Sequence, residues 1–358
     1  IAVGVGSRGI QNLYTIVETT VNSLKELGAE PFIVSAMGSH GGGTEEGQRE
    51  VLAGYGITEE RLGVPVVTTV DTVYLGNCAN GRPVWFDRAA YEADLIVPIN
   101  RVKLHTDFVG PIQSGLCKML VIGLGNHKGC SAVHEEAPEV FAGAIEETAR
   151  LILQKAPVGF GIAILENAYD KTYAVEAVPA EHLVEREKEL VQIAKGNMPY
   201  IMLDEADVIV CGAIGKDISG AGFDPNILGR SSVLKQFVLH IPRYQRLVLC
   251  DVTPASHGNG IGVGLFDVIT KKVAEQLDLE SMYANAIACN CLGDASVPCT
   301  VDDEETAIRV ALKCCRNIDR DHPRIIRIQN TLHLGEIEVS EALLDAVRAD
   351  SRMSLIEN

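Results

Sequence analysis

Short apolar runs alternate with longer amphipathic ones along most of the chain, and the two periods predict strands and helices in turn. "IAVGV" precedes a run from Gln11 to Leu27 in which Leu13, Ile16, Val17, Val21 and Leu24 share one helical face and Gly28 supplies the stop. "EPFIVSAMGSHGGG" precedes "TEEGQREVLAGYG", where Thr44 is placed to cap a helix and Glu45 and Glu46 suit its positive end. "ADLIVPINRVKLH" reads as a third buried strand. A helix is expected from Glu139 to Lys155, and "VGFGIAIL" and "TYAVEAV" face one another across "ENAYDK" as a hairpin.

The pattern restarts near Met202 with "DEADVIVCGAIGKDISGAGFDP", repeats in "RLVLCDVTPASHGNGIGVG", and ends in the helical "DDEETAIRVALKCC" and the strand "PRIIRIQN". Such alternation predicts an α/β protein of two domains, with largely parallel sheets flanked by helices and the active site in the interdomain cleft. The expected division is a cofactor-binding and catalytic domain over 1–201 and an α/β domain over 202–337 that contributes substrate contacts. Residues 338–358, with a helix near Ser340 to Val347, are expected to pack back on the first domain. Ligands of parallel sheets gather at the carboxyl ends of strands, where the glycine-rich breaks fall.

Composition narrows the picture. A chain of 358 residues that is 47% hydrophobic can bury two cores. The net charge of −17, without a clustered basic surface, argues against a nucleic-acid partner. No apolar run approaches the roughly 18 residues of a membrane span. The first residues read as a strand rather than a signal peptide, and the chain opens on Ile1 without methionine, which leaves room for a preceding segment. Ten cysteines, several inside apolar strands, read as free thiols in a reducing cytoplasm. Cys289, Cys291 and Cys299 approach metal spacing but lack a second C-x-x-C pair, so thiols are the simpler reading.

The breaks carry the candidate chemistry. Gly4, Gly6 and Gly9 in "GVGSRG" satisfy a dinucleotide fingerprint, yet the second strand ends in "SAMGSH" without the ribose-binding acid. What remains is a backbone cradle around Ser7, Arg8 and Gly9 that suits one phosphate, or equally a tight turn with a surface arginine. His40 and His105 follow neighbouring strands; two opposed imidazoles can exchange protons near neutral pH, and loop surface is the plainer alternative for each. Lys118, set in "SGLCKMLVIGLG", either snorkels to water or is desolvated into a nucleophile. His134 reads as a ligand, a cap or a core histidine, and His127 ranks lower. In the second region Lys216, Asp217, Asn226 and Arg230 offer charge for a carboxylate, with His257 a weaker candidate.

The ordered set Arg8, His40, His105, Lys118 and His134, densest in "SHGGGTEEG" and "HTDFVGPIQSGLCKMLVIGLGNHKGCSAVH", resembles the lactate racemase family. The resemblance implies a nickel-pincer nucleotide, pyridinium-3,5-bisthiocarboxylic acid mononucleotide with Ni(II), attached through a thioamide to Lys118. It further implies His134 on nickel, the nucleotide phosphate near Arg8, Ser7 and Gly9, and His40 and His105 as the acid/base pair. The implied activity is racemisation or epimerisation of a 2-hydroxy acid by reversible hydride transfer, and the implied protein partners are the enzymes that build the cofactor. The chain departs from the family in having Val5, Gly6 and Ser7, with no acid, ahead of Arg8, and "IQSGLCK" before the lysine. Substrate-gripping glutamine and lysine also lack equivalents in "GAGFDPNILGR", which directs Lys216, Asn226 and Arg230 to a larger or more polar acid than lactate. A dehydrogenase using free NAD and a non-catalytic nucleotide-binding relative are the alternatives; the missing ribose acid disfavours the first.

Overall fold

The computed structural model describes residues 1–7 and 9–356, with the backbone alone at Ala288. Contacts divide the chain into two compact units, Ile1–Met198 and Pro199–Asn358.

The first unit contains strands β1 (Ala2–Val5), β2 (Phe32–Ser35), β3 (Val66–Val67), β4 (Thr72–Asn77), β5 (Pro83–Asp87), β6 (Ile96–Arg101), β7 (Phe160–Glu166) and β8 (Thr172–Pro179). Six of them form one sheet in the order β3-β2-β1-β6-β7-β8, while β4 and β5 pair separately. All neighbours in the large sheet are parallel except β7 and β8, the hairpin expected from the sequence. The unbroken apolar runs of β1 and β2 are buried along nearly their whole length, as parallel strands covered on both faces require. Edge strand β8 instead alternates half-buried with exposed residues.

The helix Leu13–Glu26 buries Leu13, Val17, Val21 and Leu24 as its period predicts. It starts two residues later than expected, because Asn12 takes a left-handed φ of 62°. The helix Glu45–Gly54 begins after Thr44, whose side chain accepts from the Gly47 N–H at 3.1 Å. Val3, Val5, Val17, Val21, Ile33, Val97 and Ile99 form the core between sheet and helices. From β1 the chain steps outward to β2 and β3, then returns to place β6 on the other side of β1. That reversal makes the carboxyl ends of β1 and β6 a topological switch point, where open α/β sheets bind ligands.

Between β6 and β7 the chain forms a kinked helical segment. A short helix, Leu116–Lys118, runs into a π-helical turn, Met119–Gly123, and then into the helix Asn126–His134. Asn126, buried with a φ of 51°, marks the break. Its amide donates to Asp87 at 2.8 Å, and Asp87 also accepts from the Ala90 N–H at 2.8 Å. Burial lifts the Asp87 carboxyl to about 6. The helix Phe141–Lys155 follows.

The second unit contains β9 (Val208–Cys211), β10 (Arg246–Leu249), β11 (Val268–Thr270), β12 (Cys299–Val301), β13 (Ile325–Ile328) and β14 (Glu338–Val339), in the sheet order β12-β11-β10-β9-β13-β14. The pairs are parallel except β13 with β14. The C-terminal segment stays with this unit, in place of the expected return to the first domain. Val339 pairs with Ile326, and Leu343 and Val347 are buried in the second unit's own core. Among the described residues no helix is long and apolar enough to cross a membrane.

Candidate functional site

Three neighbouring strand ends present the candidate side chains of the first unit. Ser7 follows β1 and His40 follows β2, and the Ser7 hydroxyl and His40 Nδ1 are in short hydrogen-bond contact. The His40 N–H donates to the Met37 carbonyl at 3.1 Å, and Tyr55 donates its hydroxyl proton to the Ser7 carbonyl at 3.1 Å. Gly41, Gly42 and Gly43 follow at φ values of 65°, 67° and 66°, a turn that side chains with a Cβ rarely enter. Arg8 lies outside the described residues, and Gly9 is exposed. The Gln11 N–H donates to a Glu166 carboxylate oxygen at 2.7 Å, and Glu166 is ion-paired with Arg101. A carboxylate thus serves the helix start.

His105 stands in a loop closed by the antiparallel bridge between Lys103 and Ser114. Buried Gln113 accepts from the His105 N–H at 2.7 Å and donates to the Gly110 carbonyl at 3.1 Å, fixing the loop from within. The ring stacks on Phe108, with centroids 4.2 Å apart. The Asp107 N–H donates to His105 Nδ1 at 3.0 Å, and Nε2 lies 2.5 Å from Lys118 Nζ. A neutral imidazole that accepts at Nδ1 carries its proton on Nε2. That proton points at the amine, so an ammonium would place donor against donor, and the contact favours a neutral Lys118. The sequence left snorkelling and desolvation open for this lysine. The structure leaves its side chain half-buried and turned to an imidazole.

Lys118 and His134 stand at opposite ends of the kinked helical segment. An aromatic row connects their surroundings. Phe108 packs on Phe141 with centroids 4.8 Å apart, and Phe141 on His134 at 5.1 Å. Although His134 is exposed on its outer side, desolvation of its ring holds its pKa below the ordinary histidine value. The neutral ring is the form that binds metals. Cys130, 8% exposed, lies with its sulfur 3.9 Å from the Ser39 hydroxyl, and burial pushes its thiol pKa up, so it stays a thiol. No three His, Cys, Asp or Glu side chains among the described residues are grouped to hold a metal. A metal on His134 would draw its remaining donors from a bound group.

Residues 6–142 match the family model of the lactate racemase N-terminal domain. This stretch holds Ser7, His40, His105, Lys118 and His134 together. Over these residues the chain is similar to the lactate racemase family. Among solved structures it is similar to the lactate racemase apoprotein from Thermoanaerobacterium thermosaccharolyticum, at 13% identity and a TM-score of 0.54 over 92% of this chain and 85% of that one. A protein from Thermotoga maritima aligns at 12% identity and a TM-score of 0.49, over 95% of this chain and 81% of that one. The first likeness establishes a shared fold. No curated protein matches the sequence.

In the second unit, beyond the matched residues, the candidates are held in different ways. Lys216 donates its ammonium protons to the Gly220 carbonyl at 2.7 Å and, in a shorter contact, to Asn285. Asn226 is 1% exposed and donates to Asp224 at 3.1 Å. Arg230 is committed to Asp267 at 2.6 Å and to the Leu265 carbonyl at 2.8 Å, contacts that a carboxylate substrate would have to displace. Asp217 bonds Thr253. His257 is an exposed left-handed residue closing a short helix, and exposed His127 contacts Ser131 at 3.4 Å. Sequence reasoning missed Phe108, Gln113, Phe141 and Glu187, all of which support the site. The apolar residues carry no signal beyond core, and Glu187 lies in a helix rich in glutamates.

Proposed function

We propose that this chain racemises or epimerises a 2-hydroxy carboxylic acid, with a nickel-pincer nucleotide held by Lys118 and nickel bound by His134. The observation that carries the reading is the 2.5 Å contact between Lys118 Nζ and His105 Nε2, a neutral amine set beside an imidazole at the end of β6. The residues present suit such a group: a nucleophilic amine for attachment, an imidazole kept neutral for a soft divalent metal, and the phenyl rings of Phe108 and Phe141 beside them. When bound, the group supplies a cationic ring able to accept and return a hydride.

The chain's own part is orientation and proton transfer. Attachment through the Lys118 nitrogen would remove the lone pair that His105 faces; with the ring proton then carried on Nδ1, toward the Asp107 carboxylate 3.9 Å away, Nε2 would be free to accept from the substrate hydroxyl. The Cα hydrogen of a hydroxy acid is far too weakly acidic for a base of pKa near 7, so the two histidines act on the hydroxyl proton instead. His40 and His105 take and return it, one for each stereoisomer. Lys216 is the proposed substrate contact; buried Asn226 and Arg230, engaged by Asp267, would have to be uncovered or released first. The cofactor-making enzymes are the proposed partners and the cytoplasm the proposed compartment.

The test is to express the chain with the cofactor-making enzymes, measure intact mass and nickel content, and screen chiral 2-hydroxy acids for loss of optical purity. Lys118→Ala is expected to abolish both the added mass and the activity. Retention of either refutes the assignment.

A further inference from the structure

One buried carboxyl has no part in the reaction as proposed. Glu187, on the helix Leu183–Asn197, is 0% exposed. Among the described residues no ion pair reaches it, and its Oε1 has no hydrogen-bond partner. A position chosen for packing alone would carry leucine, because an unpaired buried carboxyl costs several kcal/mol or is forced to keep its proton. Something local must offset that cost.

The carboxyl is set against the turn that presents Lys118. Its Oε2 accepts from the Cys117 N–H at 2.9 Å, one residue before the lysine. A Cβ on Gly115 would lie 2.6 Å from the Glu187 carboxyl carbon and 2.7 Å from both oxygens, so only glycine leaves room for the approach. From the other side the Asn100 amide donates to the Gly115 carbonyl at 2.8 Å, and the Met119 N–H donates to the same carbonyl at 3.0 Å. Gly115 to Lys118 is thereby gripped between the end of β6 and a helix distant in sequence. The grip sits where the short helix passes into a π-helical turn, a geometry that needs outside support.

We propose that Glu187 is a positioning residue for Lys118, its carboxyl clamping the Gly115–Lys118 turn so that the amine meets His105 Nε2. The inference deepens the reading of Lys118 as the attachment point, yet it is tested on the cofactor-free chain and stands or falls apart from it. The readout is acetylation of Lys118 by a limiting amount of N-hydroxysuccinimidyl acetate, followed by peptide mass and normalised to exposed Lys155. An ordinary lysine is neutral to only about 0.1% near pH 7.5, so an amine held neutral by His105 stands out.

Glu187→Leu keeps the volume and removes the acceptor, and since it also removes the buried carboxyl its fold should survive. Its Lys118-to-Lys155 ratio is expected to fall by roughly fivefold or more, as should that of His105→Ala, while Glu187→Gln, which still accepts from Cys117, stays within about twofold of the parent. A folded Glu187→Leu chain with a ratio within about twofold of the parent overturns the proposal, and so does an equally deep loss in Glu187→Gln. Should Glu187→Leu fail to fold, Gly115→Ala, whose methyl must push the carboxyl away, is read by the same ratios. A chain that passes this test but gains no mass on Lys118 when expressed with the cofactor-making enzymes would refute the proposed function and leave the clamp intact.

Discussion

The same carboxyl makes a quantitative prediction about stability. Burial raises Glu187 from its ordinary 4.5 to about 7, against the opposing pull of the Cys117 amide. Between those two values the folded chain holds a proton that the unfolded chain has released, so stability falls as pH rises through the window and levels off above it. At about 1.36 kcal/mol for each pH unit, the loss between pH 4.5 and pH 8 is about 3 kcal/mol. Glu187→Gln cannot ionise and lacks this slope. Its stability relative to the parent should therefore improve by about 3 kcal/mol from pH 4.5 to pH 8, whatever the offset between the two at low pH. Trp85, the only tryptophan, lies on β5 of the same unit beside Tyr74 and Lys128, so its fluorescence reports unfolding of that unit alone. With a urea slope of about 2 kcal/mol per molar, the difference between the two midpoints should shift by about 1.5 M across that range. Other titrating groups are common to both chains and cancel. Midpoints that move in parallel with pH would show that Glu187 is ionised in the folded chain at neutral pH and would remove the energetic reasoning.

Three further outcomes are expected. His134→Ala should leave the added mass on Lys118 but lose nickel, read by intact mass and elemental analysis of one sample; nickel retained in full would place the metal elsewhere. Gly123→Ala puts a methyl 2.7 Å from the Ala36 carbonyl, so it should cost about 2 kcal/mol and displace the loop that carries His40, seen as a lower Trp85 urea midpoint. Arg82, with its side chain 5% exposed between Glu136 and Glu147, ties the end of β4–β5 to the helices beside His134; Arg82→Met should cost about 3 kcal/mol, and an unchanged midpoint would refute the pairing.

The fold class, the strand ends and the family signature were legible in the linear chain, because each rests on local periodicity or on residue order. β1, β2, β6 and the β7–β8 hairpin lie where alternation of apolar runs and glycine breaks placed them, and Thr44 caps the helix it was expected to cap. His40, His105, Lys118 and His134 were singled out as candidates without coordinates. The segment between Lys118 and His134 was not legible, since its path depends on a left-handed Asn126 anchored by Asp87, nearly forty residues earlier. Arg230 looked like a ligand for a substrate and is engaged by Asp267, a pairing across 37 residues that no local pattern announces. The last strand and helix looked free to return to the first domain until β13 supplied an edge for β14.

Residue identity by itself determined which groups can do chemistry and in what order they follow the strands. Only tertiary structure decided their protonation and their neighbours. The Lys118 amine meets an imidazole, and the Glu187 carboxyl is pushed up to about 7, through contacts and burial made by residues far away in the chain, and neither cause leaves a trace in the local sequence.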